Sequence, residues 1–214
     1  MLIDLSHRIE DGMVTYKGLP APQICDFWDR ASSAANYDDG STFQIGRIDM
    51  VANTGTYLDT PFHRYEEGDD LAGVGLERLA RLEGLCVRAD GMEAGPELFE
   101  DLDVAGKAVL VHTGWDRHWR TDAYYSNHPF LAEDAARLLA ERGAALVGID
   151  SYNIDDTRTR RRPVHTILLG AGTLIVEHMT RLSELPASGF RFTAAPPKVS
   201  GMGTFPVRAF AEIG

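Results

Sequence analysis

The run Asn53-Thr-Gly-Thr-Tyr-Leu-Asp-Thr-Pro-Phe-His63 concentrates the residue types best suited to chemistry. Asn53, Gly55, Tyr57, Asp59 and His63 stand at positions of one parity. Side chains of a strand alternate between its faces, so this spacing aims Asn53, Tyr57 and Asp59 into one pocket. Pro61 ends regular pairing and can turn His63 back towards that pocket. A carboxylate and an imidazole four residues apart, in a stretch with no helical stripe, suggest chemistry more than packing.

More polar candidates follow where apolar segments end. Asp150 leads into Ser151-Tyr-Asn-Ile-Asp-Asp156, and an arginine-rich stretch then reaches His165. The apolar segments 166–169 and 174–176 would hold His165 and Glu177 at the ends of buried elements. Asp, His and Glu offer oxygen and nitrogen ligands suited to zinc or manganese. The competing reading has Asp59 capping a turn, His165 packing at a strand edge and Glu177 in solvent.

The elements that must position these groups read as mixed α/β. A short strand opens the chain at residues 1–6, and a Gly/Pro-punctuated segment follows it. Strands are expected over 43–52, 85–89, 108–113 and 145–149, the last delivering Asp150 at its carboxyl end. Residues 76–82 suggest a short helix. The segment 131–141 has apolar positions at Leu131, Ala135, Leu138 and Leu139 with Gly143 just beyond, an amphipathic helix with a glycine stop. No repeat or composition break asks for a second domain, and no glycine pattern marks a phosphate loop.

At 214 residues the chain can bury a real core. Its 21 basic and 32 acidic residues leave a formal charge of −11, which argues against nucleic acid or an anionic membrane as a partner. No apolar stretch approaches the roughly 20 residues that span a bilayer, and the N-terminus lacks a signal-type pattern. Two cysteines give neither metal spacing nor a disulfide framework. A cytoplasmic protein is expected.

Several separated segments, in order, resemble the cyclase-type metal-dependent hydrolases, the family of bacterial kynurenine formamidase and isatin hydrolase. They are Ile3-Asp-Leu-Ser-His7, Thr54-Gly-Thr56 with Asp59-Thr-Pro-Phe-His63, and Val111-His-Thr-Gly-Trp115. Gly148-Ile-Asp-Ser151, His165 with Leu168-Leu169, and Ile175-Val-Glu177 continue the series. The tail adds Pro196-Pro-Lys-Val199 and Gly203-Thr-Phe-Pro-Val-Arg-Ala209. The resemblance implies a swivelling β/β/α-like α/β fold with a mixed β-sheet core, one domain over residues 1–214, and a homodimer or larger oligomer.

In that family the leading motif is His-x-Gly-Thr-His-x-Asp-x-Pro-x-His. Asp59, His165 and Glu177 match its metal ligands, and His63 matches its catalytic histidine. Asn53 and Tyr57 stand where two metal-binding histidines are usual. The resemblance therefore implies one divalent ion, zinc or manganese, on Asp59, His165 and Glu177, with His63 as acid/base. Tyr57 and Asn53 would donate hydrogen bonds to substrate or oxyanion, and Phe62 would line the pocket. The implied reaction is hydrolysis of a small-molecule amide, formamide, lactam or lactone. The alternatives are a rebuilt two-ion site, a metal-free cyclase, lyase or isomerase using His63 and Tyr57, and a noncatalytic small-molecule binder.

Other residues stay open between two readings. His7 can approach the site or make a structural bond. Trp115 and Trp119 suit an aromatic pocket or a core. His112, His118 and His128 match no ligand motif, and Ser151 lacks a nucleophile elbow. The Arg158-Thr-Arg-Arg-Arg162 block is either a salt-bridged loop after Asp155 and Asp156 or the source of one arginine for a substrate carboxylate.

Overall fold

Short apolar runs bounded by turn residues become the strands of the molecule, whose computed structural model describes residues 1–214. In chain order these are β1 (Leu2–Asp4), β2 (Gln23–Trp28), β3 (Ile45–Asp49), β4 (Tyr57–Asp59) and β5 (Leu82–Arg88). Next come β6 (Glu93–Ala94), β7 (Ala108–His112), β8 (Phe130–Leu131) and β9 (Leu146–Ile149). The last are β10 (Leu174–Glu177), β11 (Phe190–Thr193), β12 (Thr204–Pro206) and β13 (Phe210–Ile213). The α-helices are α1 (Arg30–Ser33), α2 (Glu133–Glu141) and α3 (Pro163–Gly170). This is an α/β fold with a large mixed sheet and few helices, as expected.

Nine strands form the main sheet in the order β1-β13-β11-β5-β7-β9-β10-β4-β12. The four strands β5, β7, β9 and β10 run parallel, and the flanking pairs are antiparallel. Parallel strands covered on both faces need apolar side chains on both, which is why β9 and β10 read as unbroken runs, every residue of them buried. The two faces bury separate cores. Val109, Val111, Val147, Ile149 and Ile175 meet Ala135, Ala136 and Leu139 of α2 and Val164, Leu168 and Leu169 of α3. On the other face Leu110, Leu146 and Val176 meet Ile3, Phe192 and Ala211 of the antiparallel strands.

That second core requires the sheet to curl on itself. Strands β12 and β13 occupy positions next to or at opposite ends of the order, yet only Val207 to Ala209 join them. A four-residue step spans at most about 14 Å, whereas a flat sheet would set β12 and β13 roughly 34 Å apart. The edges are in fact stitched together. Ser6 bridges to Met179 just past β10, Thr180 N donates to Leu5 O, and His7 N donates to the Thr56 hydroxyl just before β4.

Local differences from the sequence reading have simple causes. The strand expected over 43–52 is only β3, which pairs with β2 as a hairpin outside the main sheet and is exposed along its length. Residues 76–82 form a 3-10 turn at Leu76–Arg78 and then enter β5, because Leu79 and Leu82 already belong to the inner core. Helix α2 starts at Glu133, since Leu131 is held in β8. No helix is long and apolar enough to cross a membrane.

Candidate metal centre

Strand β4 lies between β10 and β12, and its register sets the site. Tyr57 stands opposite Glu177, and Asp59 stands opposite Thr204. Being two residues apart, Tyr57 and Asp59 share a face of the strand. The Tyr57 phenol donates to Glu177 Oε2 at 2.6 Å, and Ile154 N donates to Glu177 Oε1 at 2.6 Å. The Thr204 hydroxyl donates to Asp59 Oδ1. The other oxygen, Asp59 Oδ2, is buried with no hydrogen-bond partner.

The parity argument holds for these two residues only, because regular strand ends at Asp59. Asn53 sits on a bend before Gly55, whose φ of +66° places it in the left-handed region. His63 returns through the 3-10 turn Pro61–His63, with proline at the first position where its missing N–H costs nothing. Its Nδ1 lies 3.6 Å from Asp59 Oδ1 and 2.8 Å from the Thr204 hydroxyl. Gly203 lets β12 pass so close, since a Cβ there would sit 2.2 Å from His63 N.

His165 arrives from the first turn of α3. Backbone N–H groups at a helix start have no partner within the helix, and Asp155 accepts two of them, Val164 N at 2.8 Å and His165 N at 3.1 Å. The same carboxylate takes His165 Nδ1 at 2.6 Å. That bond fixes a proton on Nδ1 and turns Nε2 towards the site, where a bound cation would take the place of its proton. Nε2 lies 3.7 Å from Asp59 Oδ2 and 3.8 Å from Glu177 Oε1.

Asp59, His63 and His165 each present a ligand atom, all within 4.8 Å of one another. This corrects the expectation of a centre depleted by Asn53 and Tyr57. An Asp–His–His set is intact, and it draws on neither of those positions. The donors are of the nitrogen and oxygen type that zinc and manganese accept, and the orphaned Asp59 oxygen is the group a cation would satisfy. Asp59, His165 and Glu177 are buried, against the reading of a turn cap, a strand-edge imidazole and a solvated carboxylate.

The electrostatics agree with a site for positive charge. Burial alone would hold His165 down, but Glu177, Asp155 and Asp59 outweigh it and carry the imidazole up to about 10. Burial pushes the Glu177 carboxyl up to about 7 against the pull of His165. Burial, reinforced by the Glu177 and Asp59 charges, lifts the Tyr57 phenol well above its ordinary range. Tyr57 therefore stays a neutral donor.

A cavity of about 220 Å³ opens over the cluster, lined by Asn53, Tyr57, His63, His165 and Glu177 with Tyr16, Leu19, Arg64, Asn153 and Arg162. Phe62, Trp115 and Trp119 do not line it. Trp115 Nε1 donates to Tyr124 O, and Trp119 stacks on His7 at 4.0 Å and packs against Tyr124, so both are packing residues. Ser151 donates to Pro129 O, and His128 bonds the Thr157 hydroxyl. Asp155, Thr204 and Arg64 escape the sequence reading. None of them has a local signal, since Asp155 lies well before α3, whose capping position is Arg162, and reaches its first turn only through the fold.

Comparison with known proteins gives a consistent assignment. Residues 3–156 match the family described as "Putative cyclase". The chain is 29% identical over 216 residues to the kynurenine formamidase of Salinibacter ruber (strain DSM 13855 / M31), covering 97% of this chain and 95% of that one. It is similar to a solved "potential metal-dependent hydrolase with cyclase activity" at 28% identity and a TM-score of 0.78, over 99% and 96% of the two chains. Isatin hydrolase A from Labrenzia aggregata, bound to benzyl benzoate, superposes with a TM-score of 0.83 at 20% identity, over 100% and 93% of the chains, a likeness of fold alone. With an Asp–His–His cluster on the floor of a polar cavity and a family match over most of its length, the chain belongs to the cyclase family.

Proposed function

We propose that this protein is a metal-dependent hydrolase acting on the amide, formamide, lactam or lactone bond of a small molecule. The observation that carries the reading is the convergence of Asp59, His63 and His165 around the unpartnered Asp59 Oδ2. Zinc or manganese held there would polarise a carbonyl and make water more acidic. Asp59 and His165 Nε2 would hold the ion, with Asp155 keeping the His165 proton on Nδ1. Asn53, on the cavity wall, would donate to the substrate carbonyl as charge develops on its oxygen. Tyr57 would keep Glu177 oriented through their mutual bond and add a phenol to the same wall. Hydrolysis adds water across the C–N or C–O bond, and the leaving nitrogen or oxygen takes up the proton that water gives up.

His63 admits two roles. Its place in the three-residue cluster supports a third ligand. Its side chain is 33% exposed, though, and Thr204 holds its Nδ1, which leaves Nε2 as the nitrogen without a bond on a residue that lines the cavity. That supports the acid/base role, in which Nε2 takes the proton from water and returns it to the leaving group, with Glu177 as third ligand.

Elemental analysis of tag-free protein tests the reading, with His63→Ala, His165→Ala and Glu177→Ala beside the wild type. About one ion per chain, lost in His165→Ala, is the expected result. His63→Ala without the ion makes His63 a ligand, whereas an ion retained with turnover lost makes it the acid/base. No ion after equilibration with zinc and manganese would overturn the proposal and leave metal-free chemistry or simple ligand binding. The proposal includes a single catalytic domain over residues 1–214 working in the cytoplasm as a homodimer or larger. Exposed Ile24, Phe27, Trp28, Ile45 and Ile48 on the β2–β3 hairpin support self-association. Sedimentation of Phe27→Glu as a monomer beside an oligomeric wild type would test it.

A further inference from the structure

The chain carries a charge of −11, yet one side of the cavity is basic. Arg64 and Arg162 line the cavity over the metal cluster and also an adjoining groove of about 380 Å³. Most of their basic neighbours are neutralised. Arg158 pairs with Asp156 at 2.9 Å, while Arg137 and Arg161 share Glu133 at 2.6 and 3.1 Å. Neither Arg64 nor Arg162 has a carboxylate within 4.0 Å.

Both guanidiniums are nevertheless held. Arg162 Nη1 donates to the backbone oxygens of Thr159 at 2.8 Å and Arg161 at 2.6 Å, with Asp156 O at 3.4 Å, and the guanidinium also faces the Tyr16 phenol on the cavity wall. Arg64 donates through Nε and Nη2 to the Thr166 hydroxyl at 3.3 and 3.2 Å. That hydroxyl donates in turn to Arg162 O at 2.8 Å, so Thr166 ties the two arginines together. Two fixed, unneutralised guanidiniums beside a small cavity form a preorganised site for a planar anion.

Resting on the hydrolase reading, we propose that Arg64 and Arg162 select substrates bearing a carboxylate, gripped at the cavity mouth while the scissile carbonyl lies over Asp59, His63 and His165. The substrate class is thus a small acidic amide or ester. This narrows the sequence expectation for the arginine block to Arg162 and adds a partner from another element.

The test compares 4-formamidobenzoate with its neutral counterpart formanilide in wild type, Arg162→Gln and the more exposed Arg64→Gln. Benzoate and benzamide binding is read in parallel by calorimetry. Wild type should prefer the anion in both assays, and each variant should cut that preference about ten- to a hundredfold, through KM rather than kcat. Equal losses on both substrates, or a preference unchanged in both variants, would overturn the proposal. Inorganic phosphate competing as well as benzoate would do so too, by showing a site for any anion. If neither formamide is hydrolysed while benzoate still binds through the arginines, the hydrolase reading fails and the anion site stands. Turnover without anion preference has the opposite meaning.

Discussion

Changing Asp155 to Asn probes the centre through a residue that touches no substrate. The carboxylate accepts Val164 N, His165 N and His165 Nδ1 at 2.8, 3.1 and 2.6 Å. Asparagine keeps the shape but replaces one oxygen with a donor. If its oxygen stays on His165, the amide nitrogen faces the Val164 N–H. If the oxygen turns to Val164, the amide confronts Nδ1 and drives the His165 proton to Nε2, the atom meant for the ion. Outer partners of this kind are worth 10- to 100-fold in metal affinity, about 1.4–2.7 kcal/mol. The lost helix cap should cost metal-free protein about 1–2 kcal/mol, or roughly 2–8 °C in Tm at this chain length. Competition with a chromophoric chelator measures the first effect and calorimetry the second. A folded Asp155→Asn protein that loses Tm but keeps its zinc and manganese affinity would show Asp155 to be a helix cap only, and would refute the argument.

Three other perturbations follow from the same geometry. Tyr57→Phe leaves buried Glu177 Oε2 without its 2.6 Å donor and should cost about 1–3 kcal/mol, read as a lower Tm; an unchanged Tm would contradict the buried pair. Gly203→Ala puts a Cβ 2.2 Å from His63 N, so the turn must shift. Overpacking of this kind costs about 1–3 kcal/mol, and both Tm and metal affinity should fall. Burial lowers His7 from 6.5 to about 4, despite the opposing Asp116 charge. The folded state therefore binds fewer protons than the unfolded one, so stability is full above pH 6.5 and is lost as pH falls towards 4. That loss is on the order of 3 kcal/mol. Urea titrations across this range should be flatter for His7→Gln, and parallel curves would refute the assignment.

What the sequence reveals depends on burial. Strands β7 and β9 and helix α2 were legible because cores on both sides of the sheet demand apolar residues in a recognisable period. The β2–β3 hairpin was not, since exposed strands carry no such constraint and the expected strand ran too far in both directions. Parity placed Tyr57 and Asp59 on one face, but the return of His63 depends on a proline-led turn and on Gly203, far along the chain. Reading the centre as depleted by Asn53 and Tyr57 was wrong, because Asp59, His63 and His165 converge without either of them. His165 was named through the family resemblance, but its approach from α3 is defined by tertiary structure alone. Asp155 was hidden for a related reason, because its role depends on where α3 begins.

The placement of β4 between β10 and β12 has a kinetic consequence. Tyr57 meets Glu177 across 120 positions, and Asp59 meets Thr204 across 145. Contacts so distant reward the chain only after most of its loop entropy has been lost, and proteins dominated by them fold slowly. Completing the centre therefore requires joining segments more than a hundred residues apart, and slow refolding is the expected outcome. Added zinc or manganese should stabilise the finished protein by mass action while doing little to hasten its formation.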